Sequence, residues 1–201
     1  MNDLTRATLS HYDQQAAAFR DATRDHDVSE NYAALLGAIV GPQPYTLLDF
    51  GCGPGRDLRH FAALGHHAVG LDGAAAFVDM ARTDTGCEVL HQDFTALDLP
   101  AAHFDGIFAN ASLFHVPRGA LPTVLAHLHR SLKPDGVLFS SNPHGNDQEG
   151  FDGSRYGCYY SLETWTSLLS AAGFRVLHHY YRPPGRPRPQ QPWLASVCRR
   201  L

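Results

Sequence analysis

Apolar residues along this chain alternate between two periods. At 45–50, Tyr45, Leu47, Leu48 and Phe50 form a short run that stops at a glycine-rich turn, the pattern of a buried strand. Residues 56–64 switch to helical spacing through Leu58, Phe61 and Ala62, and Gly65 follows where a helix C-cap belongs. The exchange repeats, with strands at 68–71, 87–91, 104–109 and 136–140 and helices at 74–82 and 121–132. The last of these helices carries Leu121, Leu125, Leu128 and Leu132 on one face. Ser161 opens a further helix that Gly173 closes, and residues 174–181 and 193–197 read as a final pair of strands. Such alternation predicts an α/β fold, a mostly parallel sheet with helices on both faces.

Residues 3–40 read as a helical segment ahead of this core. There Asp27 and Glu30 have the spacing of a capping box, with Asp in place of Ser or Thr, before the stripe Tyr32, Leu35, Leu36 and Ile39. No repeat or long linker divides the 201 residues. The expectation is one domain over 1–201, with 1–40 as a helical N-terminal lid and 41–201 as the α/β core. Residues 182–192 hold five of the 13 prolines and three arginines. They read as a stiff connection between the last two strands, with a polyproline ligand for a partner domain as the alternative.

Composition narrows the chemistry. A net charge of -4 argues against a nucleic-acid or anionic-membrane partner. No apolar run approaches the ~18 residues of a transmembrane helix, and the N-terminus lacks the form of a secretory signal, so a cytoplasmic location is expected. Lys133 is the only lysine, and Pro134 follows it, so neither a P-loop nor a Schiff-base lysine is present in recognisable form. Cys52, Cys87, Cys158 and Cys198 make no CxxC pair and read as reduced packing residues. Among the 13 histidines, the neighbours His66-His67 and His178-His179 would point to opposite faces of strands, and His127 and His129 do not share a helix face. No metal site is expected.

Asp49-Phe50-Gly51-Cys52-Gly53-Pro54-Gly55 sits where the first strand meets the first core helix, the place where open parallel sheets bind ligands. A dinucleotide site needs glycine where Arg56 stands, and Pro54 has no N–H to offer a pyrophosphate. The turn therefore suits a ligand approached closely by backbone but lacking phosphate, a description that S-adenosylmethionine fits. Asp72 ends the second strand, where a carboxylate accepts ribose hydroxyls, and Asp93-Phe94 after the third would face the adenine. Asn110 follows the fourth strand, beside the reacting centre.

The constellation resembles the class I methyltransferases. Asp49–Gly55 is similar to their first motif, Leu71-Asp72-Gly73 to their second, and Leu132-Lys133-Pro134-Asp135-Gly136 to their turn before strand five. The resemblance implies a Rossmann-like, seven-stranded sheet whose last strand is antiparallel. It implies a cofactor site of Tyr12, Asp49, Gly51, Gly53, Gly55, Arg56, Asp72, Gly73, Asp93, Phe94 and Asn110, with S-adenosylhomocysteine as product and no metal.

Four stretches, at 23–31, 108–117, 140–143 and 190–197, resemble more narrowly the C-terminal methyltransferase domain of ovothiol synthases. In that family the domain follows an iron-dependent sulfoxide synthase and N-methylates 5-thiohistidine. The resemblance implies an acceptor site of Arg24, His26, Asp27, Asn31, Phe114, His115, Asn142, Arg155 and Tyr156. His115 and Asn110 are then the expected catalytic residues, acting on ring tautomer or proton, and Arg24 or Arg155 would hold the substrate carboxylate. The implied partner is a sulfoxide synthase encoded separately or cut away. Other small-molecule acceptors, and a non-catalytic module that only binds S-adenosylmethionine, are the alternatives.

Overall fold

The computed structural model describes residues 3–201. Two helices lead the chain, α1 (Asp3–Thr23) and α2 (Ser29–Ala38), and the alternating core follows: β1 (Thr46–Phe50), α3 (Arg56–Ala63), β2 (His67–Asp72), α4 (Ala75–Thr85), β3 (Glu88–His91), β4 (Phe104–Asn110), α5 (Leu121–Ser131) and β5 (Leu132–Pro143). The hairpin β6 (Gln148–Asp152) and β7 (Arg155–Tyr159) comes next, then α6 (Leu162–Ala171), β8 (Phe174–Arg182) and β9 (Trp193–Arg200). Seven strands form one sheet in the order β3-β2-β1-β4-β5-β9-β8; the pairs among β1 to β5 are parallel, and β9 runs antiparallel to both β5 and β8. This is the Rossmann-like, seven-stranded architecture expected from the sequence.

Strand alternation divides the core into two layers. Leu48, Ile107 and Leu138 face α5 and α6, where Leu125, Leu128 and Trp165 are fully or nearly fully buried. Their sequence neighbours Leu47, Phe108, Val137 and Phe139 face the other way, against Leu35 of α2 and Phe61 of α3. Each such buried side chain contributes about 1.5–3 kcal/mol.

Three elements differ from the sequence expectation. The hairpin β6–β7 is absent from it, because Gln148–Asp152 is mostly exposed and lacks apolar alternation. Strand β5 starts early, at Leu132, and takes in the turn at Lys133–Gly136. Asp135 there has φ 61, and the register against β4 shifts between Phe104 and Gly106. The capping box at α2 does not form: Val28 is the N-cap, and Asp27 instead accepts from the Ser29 N–H at 2.9 Å. By contrast Ser161 caps α6 as its position suggests, accepting from Thr164 N–H at 3.2 Å. Residues 183–192 connect the antiparallel neighbours β8 and β9. Among the described residues no helix is long and apolar enough to cross a membrane.

The carboxyl ends of β1, β2, β4 and β5 open on one side of the sheet. Helix α1 lies over them and is fastened to the hairpin, with Tyr156 N–H donating to Thr8 Oγ1 at 2.9 Å and Ser154 Oγ 2.7 Å from His11 Nδ1. A cavity of about 570 Å³ lies beneath.

Candidate active site

The cavity floor is the turn after β1. Gly51, Gly53 and Gly55 all have positive φ, at 77, 52 and 90°, yet their surroundings differ. A Cβ on Gly51 would lie 2.4 Å from Ser112 Cβ, so this glycine lets the β4 loop close on the turn. A Cβ on Gly55 would meet Ala81 Cα and Thr85 Cγ2 at 3.1 and 3.0 Å, which places Gly55 against α4 and off the cavity wall. At Gly53 the nearest atom would be Phe19 Cε1 at 3.9 Å; this glycine faces the cavity itself.

Asp72 locks the turn. Its Oδ2 accepts from Gly53 N–H and its Oδ1 from Ala74 N–H, both at 2.9 Å. Burial raises its pKa, and the N–H groups of Ala74, Gly53 and Gly73 pull against that. Asp49 lies behind the turn and does not line the cavity, contrary to expectation. Burial, then the charges of Asp57 and Asp72, push its carboxyl well above the usual range, and its Oδ2 has no hydrogen-bond partner. A folded pKa above the unfolded one means that stability is lost as pH rises through it. Asp49→Asn is therefore expected to raise the melting temperature at pH 7 and to do little near pH 3, since a buried amide carries no cost that grows with pH. A lower melting temperature at pH 7 would contradict this reading.

A polar network crosses the cavity wall from α2 to α3. Tyr180 OH donates to Asn31 Oδ1 at 2.9 Å, Asn31 Nδ2 to Asn110 Oδ1 at 3.0 Å, and Asn110 Nδ2 approaches Asp57 Oδ2 at 3.4 Å. Arg56 holds Asp57 through two bonds, at 2.6 and 2.9 Å, and Tyr32 OH adds a third at 2.5 Å. Asn31 thus acts through Asn110 and does not itself reach the cavity.

His115 also lines the cavity, in a short 3-10 helix after β4. Its Nδ1 lies 2.6 Å from the Tyr156 carbonyl oxygen and its Nε2 2.8 Å from Tyr12 Oη. A carbonyl only accepts, so Nδ1 carries the proton and Nε2 accepts from Tyr12. Burial pushes His115 down to about 4, the bond to Tyr156 O opposing and the Arg155 charge assisting, so the ring is neutral at physiological pH.

Of the residues expected from sequence, Tyr12, Gly51, Gly53, Arg56, Asp72, Gly73, Phe94, Asn110, His26, Asp27, Phe114, His115 and Arg155 line this one cavity. Five others join Asp49 and Gly55 outside it. Asp93 spends Oδ1 on Thr95 N–H and Oγ1, at 2.8 and 2.9 Å, shaping the turn that presents Phe94. Arg24 is exposed and pairs with Asp25 at 3.3 Å. Asn31 lies behind Asn110. Ser141 takes the cavity face of β5, which leaves its neighbour Asn142 on the other side. Tyr156 contributes its main chain, while its hydroxyl donates to Glu149 at 2.5 Å. Sequence reasoning missed Asp57, Ser112, Arg182 and Trp193 on the wall. For Asp57 an available sign was its place in the first turn of the helix that follows the glycines.

The sequence profile of the methyltransferase domain matches residues 20–179. The chain belongs to the methyltransferase domain family. It is 36% identical over 129 residues to 24-methylenesterol C-methyltransferase 2 of Oryza sativa subsp. japonica, covering 60% of this chain and 34% of that protein. It is 30% identical over 141 residues to the malonyl-[acyl-carrier protein] O-methyltransferase of Yersinia pestis, covering 67% and 52%. The chain thus spans between a third and about half of these curated relatives. The Burkholderia thailandensis 1,6-didemethyltoxoflavin-N1-methyltransferase, solved with 1,6-didemethyltoxoflavin and S-adenosylhomocysteine bound, superposes with a TM-score of 0.76 at 25% identity, covering 96% of this chain and 86% of that one.

S-adenosylmethionine is the cofactor that goes with this family, and the residues fit it. Gly53 keeps cavity space open where any side chain would intrude, and Ser112 Oγ is buried on the wall without a hydrogen-bond partner. Bound there, the cofactor supplies an electrophilic methyl group on a sulfonium sulfur. Asp72, Gly53 and Phe94, which line the cavity, would hold its adenosine part. Among the described residues no group of three or more His, Cys, Asp or Glu is arranged to hold a metal ion.

Proposed function

We propose that this methyltransferase acts on the imidazole nitrogen next to the side-chain methylene (Nπ) of 5-thiohistidine, the N-methylation step of ovothiol formation. One observation carries the reading. The four stretches that resemble ovothiol-synthase methyltransferase domains lie far apart in the chain, yet each contributes residues to the lining of the same cavity. His26 and Asp27 come from the first, Asn110, Phe114 and His115 from the second, Ser141 from the third and Trp193 from the fourth.

The charges on the wall suit this acceptor. 5-Thiohistidine with its thiol ionised carries a carboxylate, a thiolate and an ammonium. Arg155 and Arg182 line the cavity as cations, and Asp27 is held as a carboxylate by the Ser29 N–H. In the reaction the Nπ lone pair forms the new N–CH₃ bond while the C–S bond breaks and its electrons return to sulfur. The product ring is an imidazolium balanced by its own thiolate, so no base must remove a proton in the bond-forming step. The residues act by alignment, and effective molarity supplies about 7–11 kcal/mol in well-oriented reactions. A sulfoxide synthase acting upstream would provide the substrate.

The test is incubation with S-adenosylmethionine and 5-thiohistidine, followed by mass spectrometry and NMR assignment of the product. A 14-dalton gain with the methyl on Nπ is expected, and EDTA leaves the rate unchanged. A methyl on sulfur, or no gain while another small acceptor is methylated, would overturn the acceptor.

A further inference from the structure

His115 and Tyr12 form a chain whose polarity is fixed from one end. The Tyr156 carbonyl can only accept, so His115 Nδ1 donates to it and His115 Nε2 is left as an acceptor. Tyr12 Oη, 2.8 Å from that nitrogen, must then spend its only hydrogen on His115. The Tyr156 N–H is fastened to Thr8 Oγ1 on α1, the helix that also carries Tyr12, so the carbonyl that starts the chain is held in place. The Tyr12 ring is packed edge-on against Phe19 and His115, with centroids 5.5 Å apart in each case, and tilted against Phe77 at 5.5 Å. Its neighbour Arg155 is likewise a pure donor and lowers the pKa that burial raises.

We propose that Tyr12 presents the cavity with an oxygen that can only accept, and that this oxygen takes the N–H of the substrate ring and so selects which ring nitrogen is methylated. The inference rests on the ring-nitrogen reading above and adds a tautomer selector to it. An imidazole bound with its far nitrogen (Nτ) donating to Tyr12 has its lone pair on Nπ, where the methyl must arrive. The other tautomer would set an unprotonated nitrogen against an oxygen without a hydrogen to give, leaving both unpaired. His115 is then a positioning residue. It orients the Tyr12 hydroxyl and takes no proton from substrate, in keeping with a ring that burial, beside Arg155 and His11, holds neutral.

Three measurements test this. Two-bond ¹⁵N–¹H spectra, with His115 assigned by comparison with His115→Phe, should show the Nδ1–H tautomer unchanged from pH 5.5 to 8; an Nε2–H tautomer would overturn the polarity. Wild type should give one methyl isomer of 5-thiohistidine. Tyr12→Phe should lower kcat/KM at least tenfold and yield both the Nπ and Nτ isomers, and His115→Phe should do the same by freeing the Tyr12 hydrogen to turn inward. Calorimetry with S-adenosylhomocysteine separates a merely structural role, which would weaken cofactor binding and leave the isomer ratio alone. If wild type leaves 5-thiohistidine unmethylated, the acceptor reading fails and the selector falls with it. If wild type methylates it and Tyr12→Phe gives the same single isomer, the selector fails and the acceptor reading stands.

Discussion

Gly53→Val is expected to abolish S-adenosylhomocysteine binding while leaving the fold in place. The residue has φ 52° and sits on the cavity floor, where an added Cβ would meet nothing nearer than Phe19 at 3.9 Å. The space that a valine side chain enters is thus ligand space, and its branched Cβ also resists positive φ. Some stability goes with that backbone strain, about 1–2 kcal/mol. Gly51 provides the contrast. A Cβ there would sit 2.4 Å from Ser112 Cβ, so Gly51→Ala should damage the protein itself by forcing the β1 and β4 loops apart. Calorimetry should show affinity for S-adenosylhomocysteine at least 100-fold weaker in Gly53→Val, with native circular dichroism retained. Affinity within threefold of wild type would mean that the cofactor does not lie over this turn.

Asp72→Ala carries the second large effect, and it acts twice. The buried carboxylate fixes the turn through Gly53 N–H and Ala74 N–H, and its remaining lone pairs would accept from the ribose hydroxyls. Lost hydrogen bonds to a charged acceptor are worth about 1.5–3 kcal/mol, a weakening of roughly 10- to 100-fold. Asp72→Asn keeps one acceptor oxygen and should fall between. Because burial raises the Asp72 pKa, protonation sets in at a higher pH than for an ordinary aspartate. Affinity in wild type should therefore fall on acidification before that of an exposed carboxylate site would, and Asp72→Asn should be flatter over the same range. Equal affinities at pH 7 for wild type and Asp72→Ala would remove Asp72 from the site.

Much of this architecture was legible because its physics is local. The strands of the parallel sheet are short apolar runs, and several helices end on glycines whose positive φ the structure displays, such as Gly65, Gly86 and Gly173. The Gly51–Gly55 turn and Asp72 could be read because their spacing follows from strand, turn and helix in succession. The hairpin that brings Arg155 and the Tyr156 carbonyl to the cavity could not, since β6 is short, polar and largely exposed and β7, though buried at its centre, has no apolar alternation. The network that holds Asn110 joins residues 79 and 53 positions apart, a separation no local pattern encodes. Arg182 falls in a segment that reads as a mere connection. Its guanidinium instead donates to Asp27 O at 2.8 Å and pairs with Glu30 at 3.3 Å, at the entrance to α2. Gly55 and Asp49 were legible as parts of the motif, but their tasks, packing on α4 and burial behind the turn, depend on partners that only the folded chain supplies.

The identity of the acceptor is read from the ratio of kcat/KM for 5-thiohistidine to that for histidine. In the proposed reading Arg155 and Arg182, which pair with Asp152 and Glu30 at 3.1 and 3.3 Å, also meet the anionic groups of the substrate, and histidine lacks the thiolate that one of them would hold. A site built to hydrogen-bond a missing group discriminates by as much as ~10⁴-fold, because its own polar atoms are left unpaired. A ratio of the order ~10³–10⁴ in favour of 5-thiohistidine is expected, with a single product methylated on Nπ. Comparable efficiency on the two substrates would contradict it.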